Sequence, residues 1–164
     1  MLRDLGSQRL RLAVKLTPVR LVVGVIVVVF VAIQLIPNRI TNPPTRHEPP
    51  WNSPQTRQLA VAACFNCHSN QTRTYWFEKV APLSWWIKGH VDDGRRRLNF
   101  DAWQPGQGGG RAARTVLDGS MPPGYYTWFG LHSEAKLTAQ QKQQLAQGLE
   151  ATLGPGDGGR GGGG

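Results

Sequence analysis

Cysteine and methionine are scarce in this chain of 164 residues, which contains two of each. The cysteines, Cys64 and Cys67, are separated by two residues. A structural zinc site would need two further ligands at similar spacing, and there is no third cysteine to supply one. A disulfide across so short a loop would remove little entropy from the unfolded chain. Zinc binding and disulfide stapling are therefore poor explanations of the pair.

Acidic residues are also few, with 10 Asp and Glu against 19 Lys and Arg, a net charge of +9. Residues 1–20 hold five of the bases and one acid, so the rest of the chain has 14 bases and 9 acids, or +5. A modestly basic surface favours docking to an acidic redox partner protein or to an anionic membrane. We expect no nucleic-acid binding, because the basic run 95–97 is predicted to lie outside the cytoplasm.

A histidine follows the second cysteine directly, giving Cys64-Phe65-Asn66-Cys67-His68. C-x-x-C-H is typical of covalent c-type haem attachment, in which two thiols bind the haem vinyl groups and the histidine coordinates the iron. A thioredoxin-like redox pair is the main alternative, but it would follow a strand, and the preceding residues predict a helix. We therefore predict one covalent haem c on Cys64 and Cys67, with His68 as the proximal iron ligand.

One long apolar run is present, at residues 19–36, interrupted by Arg20 and Gln34. Its length is close to that of a bilayer span, and the basic residues before it favour a cytoplasmic N-terminus. A cleaved signal peptide is the alternative, but no small-x-small cleavage site follows the run. These features predict a single-pass anchor in the bacterial inner membrane, with the haem domain on the periplasmic side.

Composition divides the chain into five predicted segments. The proline-rich segment should be an extended linker, and the glycine-rich tail should be disordered. The segments are a basic cytoplasmic N-terminus (1–18), the transmembrane anchor (19–36), the linker (37–52), the haem-binding domain (53–153) and the tail (154–164).

Capping residues predict where helices of the haem domain begin. Ser53 followed by Pro54 is typical of an N-cap and a first helical residue. Pro82 can begin a second helix. Thr138 should cap a final helix over 139–153, which carries leucines at a spacing of four and should pack against the helix that leads to the cysteines.

The distal side of the iron is predicted from the other methionine. Apart from the initiator, Met121 is the chain's one methionine, and two prolines follow it. Because proline restricts the backbone, this loop can hold a thioether as the second axial ligand. His90 and His132 are alternative ligands, and Met121 could instead fill a gap in the core.

Aromatic residues are concentrated after the C-x-x-C-H segment. A haem needs a large apolar wall, although each of these residues could equally fill the core. The predicted pocket residues are Trp76, Trp85, Trp86, His90, Trp103, Tyr125 and Tyr126.

Several short motifs occur in a characteristic order. They are C-x-x-C-H-S-N at 64–70, A-P-x-S-W at 81–85, G-R-x-x-L-N-F-x-x-W at 94–103 and H-x-E-A-K-L at 132–137. Over roughly residues 51–153, the chain resembles the haem-binding domain family of small bacterial monohaem c-type proteins. The resemblance implies a mostly helical, cytochrome c-like haem pocket.

Together these features predict a mostly α protein, with an N-terminal transmembrane helix followed by a cytochrome c-like helical haem domain. We expect an electron carrier between a membrane electron-transfer complex and another carrier, and not an enzyme. One alternative is an accessory haem subunit of a larger respiratory or photosynthetic membrane complex. Another is a haem-based sensor or peroxidase-like protein with an open sixth site on the iron.

Overall fold

A computed structural model describes residues 17–155 of the chain. The chain divides into two compact units, Met1–Pro37 and Asn38–Gly164. Most of the predicted basic N-terminus and most of the predicted glycine-rich tail lie outside the described residues.

The first unit contains helix α1, Pro18–Gln34, which has 17 residues and begins with proline at its first helical position. The helix is shorter than the apolar run that predicted it, because Leu35 caps it and Ile36 lies beyond its end. At about 1.5 Å per residue it rises roughly 25 Å, less than the roughly 30 Å of a bilayer core. Within residues 17–155, no helix has both the length and the apolar character needed to cross a membrane. The predicted transmembrane anchor over 19–36, and with it the single-pass inner-membrane location, is therefore wrong.

The second unit is mostly helical, as predicted. Three short 3₁₀ segments, Phe77–Lys79, Gly124–Gly130 and Ser133–Ala135, connect its longer elements. The α-helices are α2 (Pro54–Ala63), α3 (Phe65–His68), α4 (Leu83–Arg97), α5 (Gly109–Leu117) and α6 (Ala139–Leu153).

The predicted helix starts of α2 and α6 are confirmed. Ser53 Oγ accepts the Thr56 N–H at 3.1 Å, with Pro54 at the first helical position. Thr138 Oγ1 accepts the Gln141 N–H at 3.2 Å, and Gln141 Oε1 accepts the Thr138 N–H at 2.8 Å. These bonds satisfy N–H groups that have no partner inside the helix, so both helices begin where the sequence places a capping residue.

The core of the second unit lies where α6 packs against α5 and α2. The leucines of α6 predicted at a spacing of four, Leu145, Leu149 and Leu153, are all buried there. Phe65, the first residue of α3, is also buried and stacks on Phe100 with a ring-centroid distance of 5.3 Å. The short helix that carries the cysteines is therefore anchored in the main hydrophobic core.

The proline-rich segment runs along the second unit and is bonded to it. Backbone N–H groups of Arg46 and His47 donate to the Asp101 carbonyl at 2.8 and 3.2 Å. The Trp103 N–H donates to the His47 carbonyl at 3.0 Å, and the two rings stack with centroids 6.2 Å apart. Residues 41–47, which we call the strap, lie within the predicted linker 37–52 and are thus bonded to the rest of the second unit.

Helix α6 crosses α2 at Gly148, where a side chain has no room. A Cβ at this position would lie 2.6 Å from Thr56 Cγ2 and 2.8 Å from Thr56 Cβ. Because threonine is β-branched, its side chain cannot easily rotate away, and the two helices would have to separate.

We expect Gly148→Ala to lower the free energy of unfolding by about 1–3 kcal/mol, the usual cost of overpacking a core. Urea denaturation measures this. The control is Gly89→Ala in the middle of α4, where a Cβ meets nothing within 4 Å. That change should preserve the stability or raise it by up to about 1 kcal/mol. Equal stability of the two variants would contradict the close crossing of α2 and α6.

Candidate functional site

Cys64, Cys67 and His68 lie on one tight turn at the junction of α2 and α3. The Cys64 N–H still donates to the Ala60 carbonyl of α2, at 2.8 Å. The Cys64 carbonyl then accepts the N–H groups of Cys67 at 3.1 Å and His68 at 2.9 Å. The backbone of one helical turn therefore carries both cysteines and the histidine, at the spacing that is typical of covalent haem attachment.

The His68 ring is oriented by a backbone carbonyl of the neighbouring chain segment. His68 Nδ1 lies 3.0 Å from the Leu98 carbonyl oxygen, which can only accept, so Nδ1 carries the proton and donates. Nε2 then has the free lone pair, the usual arrangement for a histidine that binds a metal. Burial lowers the pKa of His68, which favours the neutral imidazole that a metal needs.

Helix α4 approaches the cysteine turn at Gly94. A Cβ on Gly94 would lie 2.5 Å from the Cys67 carbonyl oxygen and 3.3 Å from Cys67 Cβ. Trp86, His90 and Gly94 follow one another at a spacing of four, so they share one side of α4, and Leu98 is the residue that ends the helix. The C-terminal part of this side holds α3, while Trp86 and His90 at its N-terminal part are exposed.

Three of the predicted pocket residues form an aromatic cluster. The Trp86 ring centroid lies 4.3 Å from that of His90 and 5.1 Å from that of Tyr125. Burial raises the pKa of Tyr125. The next residue, Tyr126, accepts a hydrogen bond from Asn66 of the C-x-x-C-H turn. The cluster therefore lies near that turn, with Trp86 half exposed, and it can form one wall of a haem pocket.

Tyr126 belongs to a second cluster, built around His132. The two rings stack with centroids 4.1 Å apart and an interplanar angle of 7°. Asn66 Nδ2 donates to Tyr126 Oη at 2.5 Å and lies 3.3 Å from His132 Nδ1. His132 Nε2 lies 3.8 Å from a Glu78 carboxylate oxygen. Both nitrogens of this buried histidine face protein groups, which favours a structural role over iron ligation.

Asn66 was not predicted as a functional residue, because it occupies a variable position of C-x-x-C-H. Besides the bonds to Tyr126 and His132, its Oδ1 accepts the Arg73 N–H at 3.0 Å. The Asn66 side chain therefore bonds the C-x-x-C-H turn to the loop at Arg73 and to the segment that carries Tyr126 and His132. A single sequence gives no signal of such a role, since the asparagine resembles any surface residue.

The remaining tryptophans predicted for the pocket lie elsewhere. Among the described residues, no ring contact joins Trp76, Trp85 or Trp103 to the Trp86 cluster. Trp103 packs against the hydrophobic core and donates from Nε1 to the Gln107 carbonyl at 3.1 Å. Trp76 is 78% exposed and Trp85 is half buried on α4.

Met121 lies in the loop that follows α5. Its N–H donates to the Thr115 carbonyl at 2.9 Å, which fixes the backbone at this point. The residue is 39% exposed, so it does not fill a gap in the core. The loop continues into Tyr125 and Tyr126, the residues that contact the aromatic cluster and the attachment turn.

The two thiols are held in the neutral form. Burial raises the pKa of Cys64 to about 12 and that of Cys67 to about 11. Glu78 adds to the shift of Cys67, while Arg95 opposes it. A redox-active cysteine pair normally has a lowered thiol pKa, so this environment is unlike that of a thioredoxin-like site.

These residues fit a haem. The turn offers two thiols and an oriented imidazole, and the Trp86 cluster offers an apolar wall beside them. An oriented imidazole beside two cysteines and an aromatic wall are the features that a haem site needs.

Comparison with known families leads to the same class. The family model described as haem-binding domain matches residues 28–151, which is most of the chain. The chain belongs to the haem-binding domain family. Neither the curated proteins nor the solved structures contain a significant match.

We expect Gly94→Ala to disturb the haem site directly. The new methyl group would meet a backbone carbonyl of Cys67, which cannot turn aside, so α3 and α4 would have to separate. The purified variant should contain less haem per protein than wild type, measured from the ratio of Soret to protein absorbance. Gly89→Ala, on the same helix, should keep the wild-type ratio. If Gly94→Ala also kept it, the contact between Cys67 and α4 would not matter for haem binding.

Proposed function

We propose that this protein is a monohaem c-type cytochrome that transfers single electrons. In this proposal the haem is attached covalently through thioethers to Cys64 and Cys67, and His68 Nε2 is the proximal iron ligand. The observation that carries the proposal is the hydrogen bond from His68 Nδ1 to the Leu98 carbonyl, on a turn that also presents both thiols. It prepares the imidazole for iron before any haem is bound.

When bound, the haem supplies the one-electron redox chemistry, and the chain's own residues fix its position and surroundings. Leu98 orients the proximal imidazole, and Gly94 allows α4 to lie directly against the attachment turn. Trp86 and Tyr125 exclude water from one side of the site. No substrate chemistry is needed, so the protein is proposed to be an electron carrier and not an enzyme.

Met121 is proposed as the distal ligand. Its loop is fixed by the bond to Thr115 and leads directly into the aromatic cluster beside Cys67. A thioether opposite the histidine would raise the reduction potential and fill the sixth position of the iron. Both effects suit an electron carrier.

The proposed partner is an acidic redox protein. Arg97 is exposed at the C-terminal end of α4, next to Leu98, whose carbonyl accepts from the His68 ring. This basic residue therefore lies close to the proposed proximal ligand. Opposite charges would guide a partner toward the haem edge.

One observation favours a second candidate, a sensor or peroxidase-like protein with an open sixth site. Met121 is 39% exposed, so packing in the core does not hold its thioether in place. If Met121 did not bind the iron and no histidine replaced it, small molecules could reach the sixth site. Covalent attachment of the haem and its distal ligation can be tested independently, in two experiments.

The first tests covalent attachment with the double variant Cys64→Ser and Cys67→Ser. Acidified acetone should extract the haem from the double variant and leave it on the wild type, because only thioethers survive this treatment. Haem staining after denaturing electrophoresis measures the outcome. Wild-type protein that released its haem would contradict a c-type attachment.

The second tests Met121→Ala. Wild-type protein should be low-spin in both oxidation states, with the weak red-edge absorption band of a bond between ferric iron and a thioether, and the variant should lose that band. Optical and magnetic circular dichroism spectra measure this. Met1, the chain's other methionine, is unchanged in the variant. Identical spectra would show that Met121 does not bind the iron. Identical high-spin spectra would favour the second candidate, and identical low-spin spectra would favour His90 as the distal ligand.

A further inference from the structure

Arg95, on α4 next to Gly94, makes the most extensive set of side-chain hydrogen bonds among the described residues. Its Nε donates to the Ser69 carbonyl at 2.7 Å, directly after His68. Its Nη1 donates to the Thr41 carbonyl at 2.7 Å. Its Nη2 donates to Asn42 Oδ1 at 2.9 Å and to Thr72 Oγ1 at 3.0 Å. One guanidinium therefore joins the start of the strap to the loop after the proximal ligand.

The strap and that loop are also bonded to each other. Asn42 Nδ2 donates to the Thr72 carbonyl at 2.9 Å, and Asn42 Oδ1 accepts the Thr72 N–H at 3.2 Å. Thr72 Oγ1 donates to the carbonyl of Asn66, inside the C-x-x-C-H turn, at 2.8 Å. A continuous path of hydrogen bonds thus runs from the strap through Arg95 and Thr72 to the attachment turn.

The neighbouring arginine is used differently. Arg96 pairs with Asp93 one turn earlier on α4, and both side chains are mostly exposed. An exposed pair of this kind contributes little to stability. The consecutive arginines therefore provide an internal comparison, because the same charge lies in two different settings.

Arg95 also lies beside the C-x-x-C-H turn. It directly follows Gly94, where α4 touches the backbone of Cys67, and its Nε bonds the Ser69 carbonyl next to His68. A fixed cation beside a haem disfavours the ferric state, which carries one more positive charge than the ferrous state. Its presence therefore raises the reduction potential.

We propose that Arg95 is a positioning residue of the haem site, which locks the strap onto the backbone after His68 and raises the reduction potential of the haem. The effect on the potential rests on the function proposed above. The locking of the strap rests on hydrogen bonds that do not involve the haem.

The experiment compares the full-length variants Arg95→Gln, Arg95→Lys and Arg96→Gln with wild type. Spectroelectrochemical titration of the haem-loaded protein gives the ratio of ferric to ferrous haem at the wild-type midpoint. Limited tryptic digestion followed by mass spectrometry gives the cleavage rate after Arg39, just before the strap. Cleavage after Arg46 is an internal control, since Asp101 holds that peptide independently of Arg95.

Arg95→Gln should raise the ferric-to-ferrous ratio by roughly three- to tenfold, as expected for the loss of one partly screened charge nearby. It should also speed cleavage after Arg39 severalfold while leaving cleavage after Arg46 unchanged. Arg95→Lys keeps the positive charge, so it should keep the ratio within about twofold of wild type. It should be cleaved after Arg39 as fast as Arg95→Gln, because a lysine ammonium cannot form the hydrogen bonds of the planar guanidinium. Arg96→Gln should match wild type in cleavage and change the ratio by less than about twofold, since its charge is exposed and screened.

Arg95→Gln that matched Arg96→Gln in either measurement would overturn the proposal. If Arg95→Gln does not fold, Arg95→Lys decides, and a wild-type cleavage rate in that variant overturns the locking of the strap. Cleavage is also measured on protein prepared without haem. A wild-type protein that lost its haem in acidified acetone would refute the covalent attachment, while the cleavage rates would still decide the role of Arg95 in the strap.

Discussion

The contact between α3 and α4 is the constraint on which the haem site depends. Gly94 has no side chain, so the Cys67 carbonyl can approach α4 closely, and His68 Nδ1 donates to the Leu98 carbonyl. Both depend on Leu98 lying one turn beyond Gly94, where α4 ends and the chain becomes extended. If α4 continued further, the Leu98 carbonyl would be available to a later N–H of the helix and less available to the imidazole. The end of the helix is therefore part of the site.

The other side of the attachment turn is fixed by a buried carboxylate. Asp101 is fully buried, and its Oδ2 accepts the Asn70 N–H at 2.8 Å while Gln71 Nε2 donates to Oδ1 at 3.0 Å. A buried charge is costly unless such bonds satisfy it, so the loop after His68 has little freedom to move. The same residue holds the strap through its backbone carbonyl. His68, the loop after it and the strap thus form one connected structure, in which the buried carboxylate and Arg95 are the two charged members.

The parts of this structure that the sequence could predict are those set by local chemistry. Ser53 and Thr138 cap helices because their own side chains bond to the next turn, and C-x-x-C-H has a spacing fixed by the haem. The contributions of Asn66 and Arg95 could not be predicted, because each depends on a partner that is distant in the sequence, Tyr126 for Asn66 and Thr41 for Arg95. The predicted transmembrane span failed for a different reason. Hydropathy identifies an apolar run, but helix length depends on where the backbone leaves the helix, which here is at Leu35.

Helix α4 combines two tasks because its residues repeat at a spacing of four. Gly94 lies against the backbone of Cys67, where there is no space for an aromatic ring, and the Leu98 carbonyl just after the helix accepts from the His68 ring. One and two turns earlier the same side carries His90 and Trp86, whose rings pack with Tyr125 and remain partly exposed. A helix that holds a flat prosthetic group needs a small residue where it touches the protein. Where it does not touch the protein, it needs large rings to lie against the group. The exposed rings of α4 are therefore better explained as surface that a haem would cover than as surface meant for solvent.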